Sequence, residues 1–292
     1  HSVDENIQNK GDTSLQQRIY ICLDLSNSMG TLLNGYSKKR NKPTRKQLSV
    51  ILMKHLMRRI HDYKVPTARG LILFGHEIKI ACPLSITEKS FDDAVQNIYP
   101  YGGTPLWEAV NLAADEIIKF NTFEKSDDDE EDDNDDNEKK HYKYPEAKGR
   151  IILLSDANDT DLKSKPNEKF SIIEKLVKNG IIMDLIMIST VDECLDVMTA
   201  AKITGGLSFR PKNEEEGIEI FETEAFLDIN ARSNCIPIEN KITEDSFTNI
   251  FKLIKNNPYT NPYEIKNKFI KQATINAELS SINYTLSYRK DE

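Results

Sequence analysis

Two aspartates and three hydroxyl residues stand at points where the surrounding pattern predicts that a strand ends or a helix begins. The five are Asp24, Ser26, Ser28, Thr104 and Asp156. Carboxylate and hydroxyl oxygens are hard donors, which suit Mg²⁺, or Mn²⁺ or Ca²⁺, rather than Zn²⁺. Because the set offers only two carboxylates, a cation bound to it keeps residual positive charge and an exchangeable position. The residue types therefore predict a metal cofactor whose last ligand is an Asp or Glu carboxylate from a protein partner.

The two aspartates come at the ends of strongly apolar segments. Residues 18–25 (RIYICLDL) and 150–155 (RIILLS) are nearly continuous apolar runs, which are typical of strands buried on both faces. Asp24 lies near the end of the first run, and Asp156 directly follows the second. In open α/β sheets ligands bind beyond the carboxyl ends of the strands, so we expect both carboxylates at one binding edge.

Thr104 stands between a Gly-Gly turn and a segment with helical spacing of apolar residues. Pro105 follows it, and proline favours the first position of a helix, whereas threonine favours the N-cap. We therefore predict a helix that begins at Pro105 and is capped by Thr104. The same hydroxyl could cap this helix or bind a metal, and the residues alone leave both roles open.

Apolar periodicity predicts that strands and helices alternate along most of the chain. Further strands are predicted over 69–74, 77–82, 180–190 and 207–210, and further helices after Thr44 and over 90–98, 170–179, 193–203 and 216–231. The strands over 69–74 and 77–82 are close enough to form a hairpin. The alternation indicates the α/β fold class, with a doubly wound, mostly parallel six-stranded sheet flanked by helices.

The order and spacing of these residues resemble those of von Willebrand factor A (VWA) domains. The segment DLSNS, which begins at Asp24, matches the family's DxSxS motif. Thr104 in GGT matches its metal-binding threonine, and Asp156 in LLSDAND matches its second aspartate. The resemblance covers about residues 18–231 and implies a Rossmann-like VWA fold with a metal ion-dependent adhesion site (MIDAS). In that site both serines and the threonine ligate the metal, and the aspartates act directly or through water. Ala157 departs from the family, which usually has glycine there.

Composition divides the chain into three parts. They are a flexible leader over 1–15, the VWA domain over 16–232 and a mainly helical C-terminal extension over 233–292. Residues 123–145 are an acidic insertion, predicted to be disordered and to lie away from the metal edge. The extension has helical spacing over 247–255 and 262–286. It is either an addition to the VWA domain or the start of a second module, and both interpretations stay open.

Charge and hydropathy argue against two classes of partner. The net charge is −8, but residues 127–138 contain ten acids and no base, so the rest of the chain is slightly positive. Without a domain-wide basic excess nucleic acid is not expected, and without about 18 consecutive apolar residues no membrane span is expected. A basic cluster (Lys38, Lys39 and Arg40) follows DLSNS and is predicted to flank the metal edge and contact an acidic partner.

No catalytic residues are predicted, because the sequence shows no phosphate loop and no set of nucleophile, base and orienting residue. The leading hypothesis is a metal-dependent protein-binding module. An alternative is a scaffold subunit of an intracellular complex, of the ubiquitin/proteasome, transcription or repair type, with a structural metal. A remote alternative is a Mg²⁺-dependent phosphatase with Asp24 as nucleophile, although such enzymes need an acid where Ser26 stands. A chain of this length does not need disulfides, and a glycan at the sequon Asn158 would block the metal residues, so a cytoplasmic or nuclear location is expected and an extracellular one stays open.

Overall fold

A computed structural model of the protein gives its architecture. It describes residues 15–33, 42–86, 91–96, 98–122, 144, 147–156, 168–189, 194–222, 229, 242–255 and 259–261. Several predicted features lie outside the described residues. They are the leader up to residue 14, the cluster Lys38, Lys39 and Arg40, the acidic insertion apart from Tyr144, Ala157, and the predicted helix over 262–286.

The centre of the molecule is a six-stranded sheet with the strand order β3-β2-β1-β4-β5-β6. In chain order the strands are β1 (Gln17–Asp24), β2 (Thr67–Phe74), β3 (Ile78–Ser85), β4 (Lys148–Ser155), β5 (Ile181–Met187) and β6 (Ser208–Phe209). Neighbouring strands are parallel except in the predicted hairpin of β2 and β3. Because β1 and β4 are parallel neighbours at the middle of the sheet, the residues that follow them lie side by side at one edge.

Helices cover both faces of the sheet. They are α1 (Arg45–Asp62), α2 (Asp92–Val95), α3 (Leu106–Asn121), α4 (Glu168–Lys178), α5 (Leu195–Ile203), α6 (Glu214–Glu222) and α7 (Glu244–Ile254). Successive β1 side chains point to opposite faces, as the strand period of two requires. Ile21 and Leu23 therefore pack towards α1 and α6, whereas Tyr20 and Cys22 pack towards α3, α4 and α5. These two apolar layers confirm the predicted doubly wound α/β class. Within the described part of the chain, no helix has both the length and the apolar character needed to cross a membrane.

The start of α3 differs from the prediction. The helix begins at Leu106, its N-cap is Pro105, and no side chain caps it. Pro105 has φ −76° and ψ 63°, and the Leu106 amide donates to the Thr104 carbonyl at 2.8 Å. This is an inverse γ-turn, which places Pro105 just outside the helix and Thr104 one residue further away. The predicted cap role of Thr104 and the predicted first-turn position of Pro105 are therefore wrong. The helix predicted over 90–98 is also shorter, because only α2 forms there.

The beginning of the C-terminal extension packs against the sheet domain. Phe247 of α7 is buried, and its ring meets that of Phe170 edge-on at a centroid distance of 5.4 Å. Beyond α7, the Thr260 amide donates to the Ser208 carbonyl of β6 at 2.7 Å. Ile242, Phe247, Ile250 and Tyr259 thus share the apolar layer on the α5 face with the rest of the domain.

The acidic insertion is attached at the sheet edge opposite to the ends of β1 and β4. It connects the last turn of α3 to the start of β4. Its attachment points are joined, because the Tyr144 amide donates to Asn121 Oδ1 at 2.9 Å and the Tyr144 ring stacks on Phe120. Both ends of the insertion therefore leave the domain far from the predicted metal residues.

Candidate metal centre

Asp24 is the last residue of β1, and its carboxylate is completely buried. The Ser26 amide donates to Oδ1 at 2.7 Å, and the Ser155 hydroxyl donates to Oδ2 at 2.5 Å. The first bond lies within the turn that follows β1, whereas the second connects the end of β4 to the end of β1. Together they fix the orientation of the carboxylate at the edge of the sheet.

The surroundings of Asp24 disfavour its charged form. Burial raises the pKa of the carboxyl group from its ordinary value of 3.8 to about 6. Hydrogen bonds from Ser155 and Ser26 lower it, and the nearby carboxylate of Asp156 raises it. Burial is the largest of these effects, as expected for a carboxylate withdrawn from water. A metal ion beside Asp24 would favour its charged form.

The two serines of DLSNS meet because the chain curls into a 3₁₀ turn directly after β1. The turn spans Asn27–Gly30, and the Met29 amide donates to the Ser26 carbonyl at 3.0 Å. Ser26 is buried and Ser28 is half-buried, and their hydroxyl oxygens lie 3.0 Å apart. The turn therefore places two neighbouring hydroxyl oxygens in the loop that directly follows Asp24.

Backbone hydrogen bonds hold the segment before Thr104 against the segment after β1. The Tyr101 amide donates to the Leu25 carbonyl at 2.7 Å, and the Asn27 amide donates to the Gly102 carbonyl at 3.2 Å. Thr104 follows two residues later and is buried. These bonds bring Thr104 to the same edge as the DLSNS residues, although the two segments are far apart in the sequence.

The same segment is also joined to the hairpin turn between β2 and β3. The His76 amide donates to the Tyr101 carbonyl at 2.9 Å, and the two rings lie with their centroids 4.9 Å apart. Gly102 has φ +91°, and a Cβ atom there would come within 2.5 Å of the His76 backbone. Glycine is therefore required by both the backbone conformation and the close approach.

Asp156 directly follows β4, with its side chain 1% exposed. Its Oδ2 accepts a hydrogen bond of 2.5 Å from Nη1 of Arg45, the first residue of α1. Its Oδ1 is buried and has no hydrogen-bond partner among the residues that the structure describes. A buried carboxylate oxygen without a partner is energetically costly, so this atom indicates a place for a further ligand.

The donor set fits a small hard cation. The two aspartates and the three hydroxyl residues that the sequence singled out all lie at this edge of the sheet, where Oδ1 of Asp156 has no hydrogen-bond partner among the described residues. Within the described ranges, no group of three or more His, Cys, Asp or Glu side chains could hold a metal. A cation here would therefore depend on the hydroxyl oxygens of Ser26, Ser28 and Thr104 as well as on the aspartates, which favours Mg²⁺ or a similar ion over Zn²⁺.

Sequence reasoning missed two residues of this edge, Ser155 and Arg45. Strand register explains why Ser155 lies near Asp24, because Leu23 of β1 pairs with Leu154 of β4 and Asp24 and Ser155 come next along their strands. No local pattern indicates Arg45, whose role depends on how α1 packs against the sheet.

Comparisons with known proteins bear on the fold. No family model matches the chain, and no curated protein matches it. Among solved structures, the VWA domain of SpRpn10 is 14% identical, with a TM-score of 0.49 over 70% of this chain and 94% of that chain. BatB from Bacteroides thetaiotaomicron is 15% identical, with a TM-score of 0.47 over 74% of this chain and 100% of that chain.

A third solved structure, described as von Willebrand factor type A from Catenulispora acidiphila, is 15% identical to the chain. The match has a TM-score of 0.50 and covers 73% of this chain and 43% of that chain, so this chain spans less than half of that protein. The match agrees with the mostly parallel sheet and its two helical layers. The chain therefore has the fold of a von Willebrand factor A domain.

Proposed function

We propose that the chain is a protein-binding module in which a divalent cation, held at the carboxyl edge of the sheet, captures a carboxylate from a partner protein. Asp24, Ser26, Ser28, Thr104 and Asp156 would hold the cation, with Mg²⁺ as the first choice and Mn²⁺ or Ca²⁺ as substitutes. The VWA fold supports a role in protein interaction in general. The metal site is supported mainly by one observation, the buried and unpaired Oδ1 of Asp156 at this edge.

The chemistry supplied by the cation is electrostatic attraction of an anionic ligand. The two carboxylates cannot fill all the coordination positions of a dication, and the three hydroxyl ligands carry no charge. An Asp or Glu side chain of a partner would fill one of these positions. We propose binding without catalysis, in which the Ser155 hydroxyl orients the Asp24 carboxylate.

Metal titration tests this proposal directly. Isothermal titration with Mn²⁺ should show one site in the wild type and none in Thr104→Val, which keeps the shape of the side chain but removes its oxygen. Thr199→Val is the matched control, because Thr199 is equally buried but its hydroxyl bonds to the Leu195 carbonyl within α5. Absence of Mn²⁺ binding in the wild type, or equal binding in Thr104→Val, would contradict the proposal.

Capture of a carboxylate needs a second measurement. In the Mn²⁺-loaded protein, N-acetylglutamate should displace a metal-bound water and reduce the enhancement of water-proton relaxation. N-acetylglutamine amide, which has no carboxylate and no charge, is the control. No difference between the two compounds would argue against an exchangeable position on the metal.

A scaffold role with a structural metal is the second candidate, and the burial of Asp24 favours it. Because burial raises the pKa of this carboxyl group to about 6, a bound cation would also stabilise the fold. Saturating Mg²⁺ should then raise the melting temperature strongly, while N-acetylglutamate leaves water relaxation unchanged. For either role we propose a reducing compartment such as the cytoplasm or nucleus, which agrees with Cys22 being a buried free thiol.

A further inference from the structure

Arg45 places a fixed positive charge at the candidate metal centre. It is the first residue of α1, after the capping box formed by Thr44 and Gln47, and its amide donates to the Thr31 carbonyl at 3.0 Å. Its side chain is 14% exposed, and its Nη1 donates to Asp156 Oδ2 at 2.5 Å. Among the described residues, Asp156 is the one hydrogen-bonding partner of this guanidinium group.

The ion pair occupies the carboxylate that a metal would need. Arg45 leaves Oδ1 of Asp156 open but engages Oδ2 through a short, charge-assisted bond. A dication that approaches Asp156 must share this carboxylate with the guanidinium group and is repelled by its charge. Both effects oppose metal binding, and they are strong where water is largely excluded.

We propose that Arg45 is an internal competitor of the divalent cation, so that it weakens metal binding and makes stable loading depend on an anionic partner. This inference rests on the proposed function. With a metal and Arg45 both present, the positive charges exceed the two carboxylate charges by one. A partner carboxylate restores neutrality, so metal binding and carboxylate binding strengthen each other by the same factor.

The alternative is that Arg45 only positions Asp156 as a metal ligand. The two roles differ in sign, because loss of a competitor strengthens metal binding and loss of a positioning residue weakens it. The decisive variant is therefore Arg45→Gln, which removes the charge and keeps a long polar side chain at the first helical position.

The matched control is Arg58→Gln. Arg58 lies on the same helix, about 20 Å from Arg45 at 1.5 Å per residue, and its side chain is 80% exposed beside Asp62. The change therefore removes the same charge from α1 without touching the site. Circular dichroism and thermal unfolding check that both variants are folded.

Isothermal titration with Mn²⁺ should show that Arg45→Gln binds at least tenfold more tightly than the wild type, while Arg58→Gln is unchanged. If the wild type binds Mn²⁺ and Arg45→Gln binds it equally or more weakly, this inference is overturned but the proposed function is not. Binding in Arg45→Gln alone would support the inference and overturn the proposal that the wild-type chain loads metal by itself. Absence of binding in both would overturn both.

A measurement on the wild type covers the case in which Arg45→Gln fails to fold. In a ¹⁵N-labelled protein titrated with Mg²⁺, the Nε resonance of Arg45 should shift and its N–H should exchange faster with water, because the metal loosens the ion pair. The Arg58 resonance is the internal reference. An Arg45 signal that stays unchanged at saturating Mg²⁺ would overturn the competition.

Discussion

The Ser155 hydroxyl donates a 2.5 Å hydrogen bond to Oδ2 of Asp24 and so joins the ends of the two central strands. The bond connects residues 131 positions apart and supports a carboxylate that has no exposed surface. Neutral donors stabilise this anion only partly, because burial still raises the pKa of Asp24 to about 6. The charge of this one carboxylate should therefore control both metal affinity and the stability of the metal-free protein.

Metal affinity should fall at acidic pH. A proton and a metal ion compete for the Asp24 carboxylate, and its pKa of about 6 places this competition in an accessible range. Mn²⁺ affinity, measured by the electron paramagnetic resonance signal of the free ion, should be nearly constant above about pH 7. It should fall by about tenfold for each pH unit below about 6. An affinity unchanged between about pH 7.5 and about pH 5 would contradict the role of Asp24 as a ligand.

Asp24→Asn should stabilise the metal-free protein while removing metal binding. The pKa of Asp24 rises on folding from 3.8 to about 6, so the folded state binds more protons between these values. This group therefore makes the metal-free protein more stable as pH falls from about 6 towards 3.8, and less stable as pH rises through that range. Asparagine removes the charge, and we expect a gain of up to about 3 kcal/mol in the free energy of unfolding near neutral pH.

Urea denaturation in EDTA measures this gain. Asp62→Asn, at an exposed position near the end of α1, is the control and should change stability little. A metal-free Asp24→Asn protein that is less stable than the wild type near neutral pH would show that the charged carboxylate is favoured in the fold.

Gly102→Ala should disrupt the metal centre, although Gly102 is not one of the proposed metal ligands. The φ of +91° is strained for alanine, and the new Cβ atom would come within 2.5 Å of His76 Cα. We expect a loss of at least about 2 kcal/mol in stability and of Mn²⁺ binding, because the shift displaces Thr104. Gly30→Ala is the matched control, since its Cβ atom would meet Pro100 at an ordinary 3.7 Å. Intact Mn²⁺ binding in Gly102→Ala would show that this loop does not position Thr104.

Asp184→Ala should destabilise the fold through the buried ion pair with Arg150. The Arg150 Nε donates to Asp184 Oδ2 at 2.7 Å, and both side chains are at most 1% exposed. Asp184 Oδ1 also accepts the Leu207 amide at 2.8 Å. Removing the carboxylate deletes the ion pair and the hydrogen bond to the Leu207 amide in the buried interior, which costs about 3–5 kcal/mol.

Urea denaturation of Asp184→Ala and Asp62→Ala provides the comparison. Asp62 forms an exposed pair with Arg58, and its loss should cost less than about 1 kcal/mol. Similar losses in the two variants would contradict a dominant role for the buried pair in joining β4 and β5.

Much of the fold follows from local sequence patterns. Continuous apolar runs predicted β1 and β4 because only strands buried on both faces are uniformly apolar. Asp24 and Asp156 were placed at the binding edge because each stands at the end of such a run. The prediction of Thr104 as a helix cap failed because the γ-turn at Pro105 depends on how the preceding loop is held, not on the residue type.

The tertiary structure alone decided which groups surround those carboxylates. Arg45 meets Asp156 across 111 positions because α1 packs in the same apolar layer as Ile152 and Leu154 of β4, and no local sequence pattern relates residues so far apart. Backbone bonds between the 101–104 segment and the turns after β1 and β2 likewise depend on strand order. Sequence patterns specify burial and backbone conformation over a few residues, whereas the pairing of charges across the sheet edge is settled only when the helices and strands have packed.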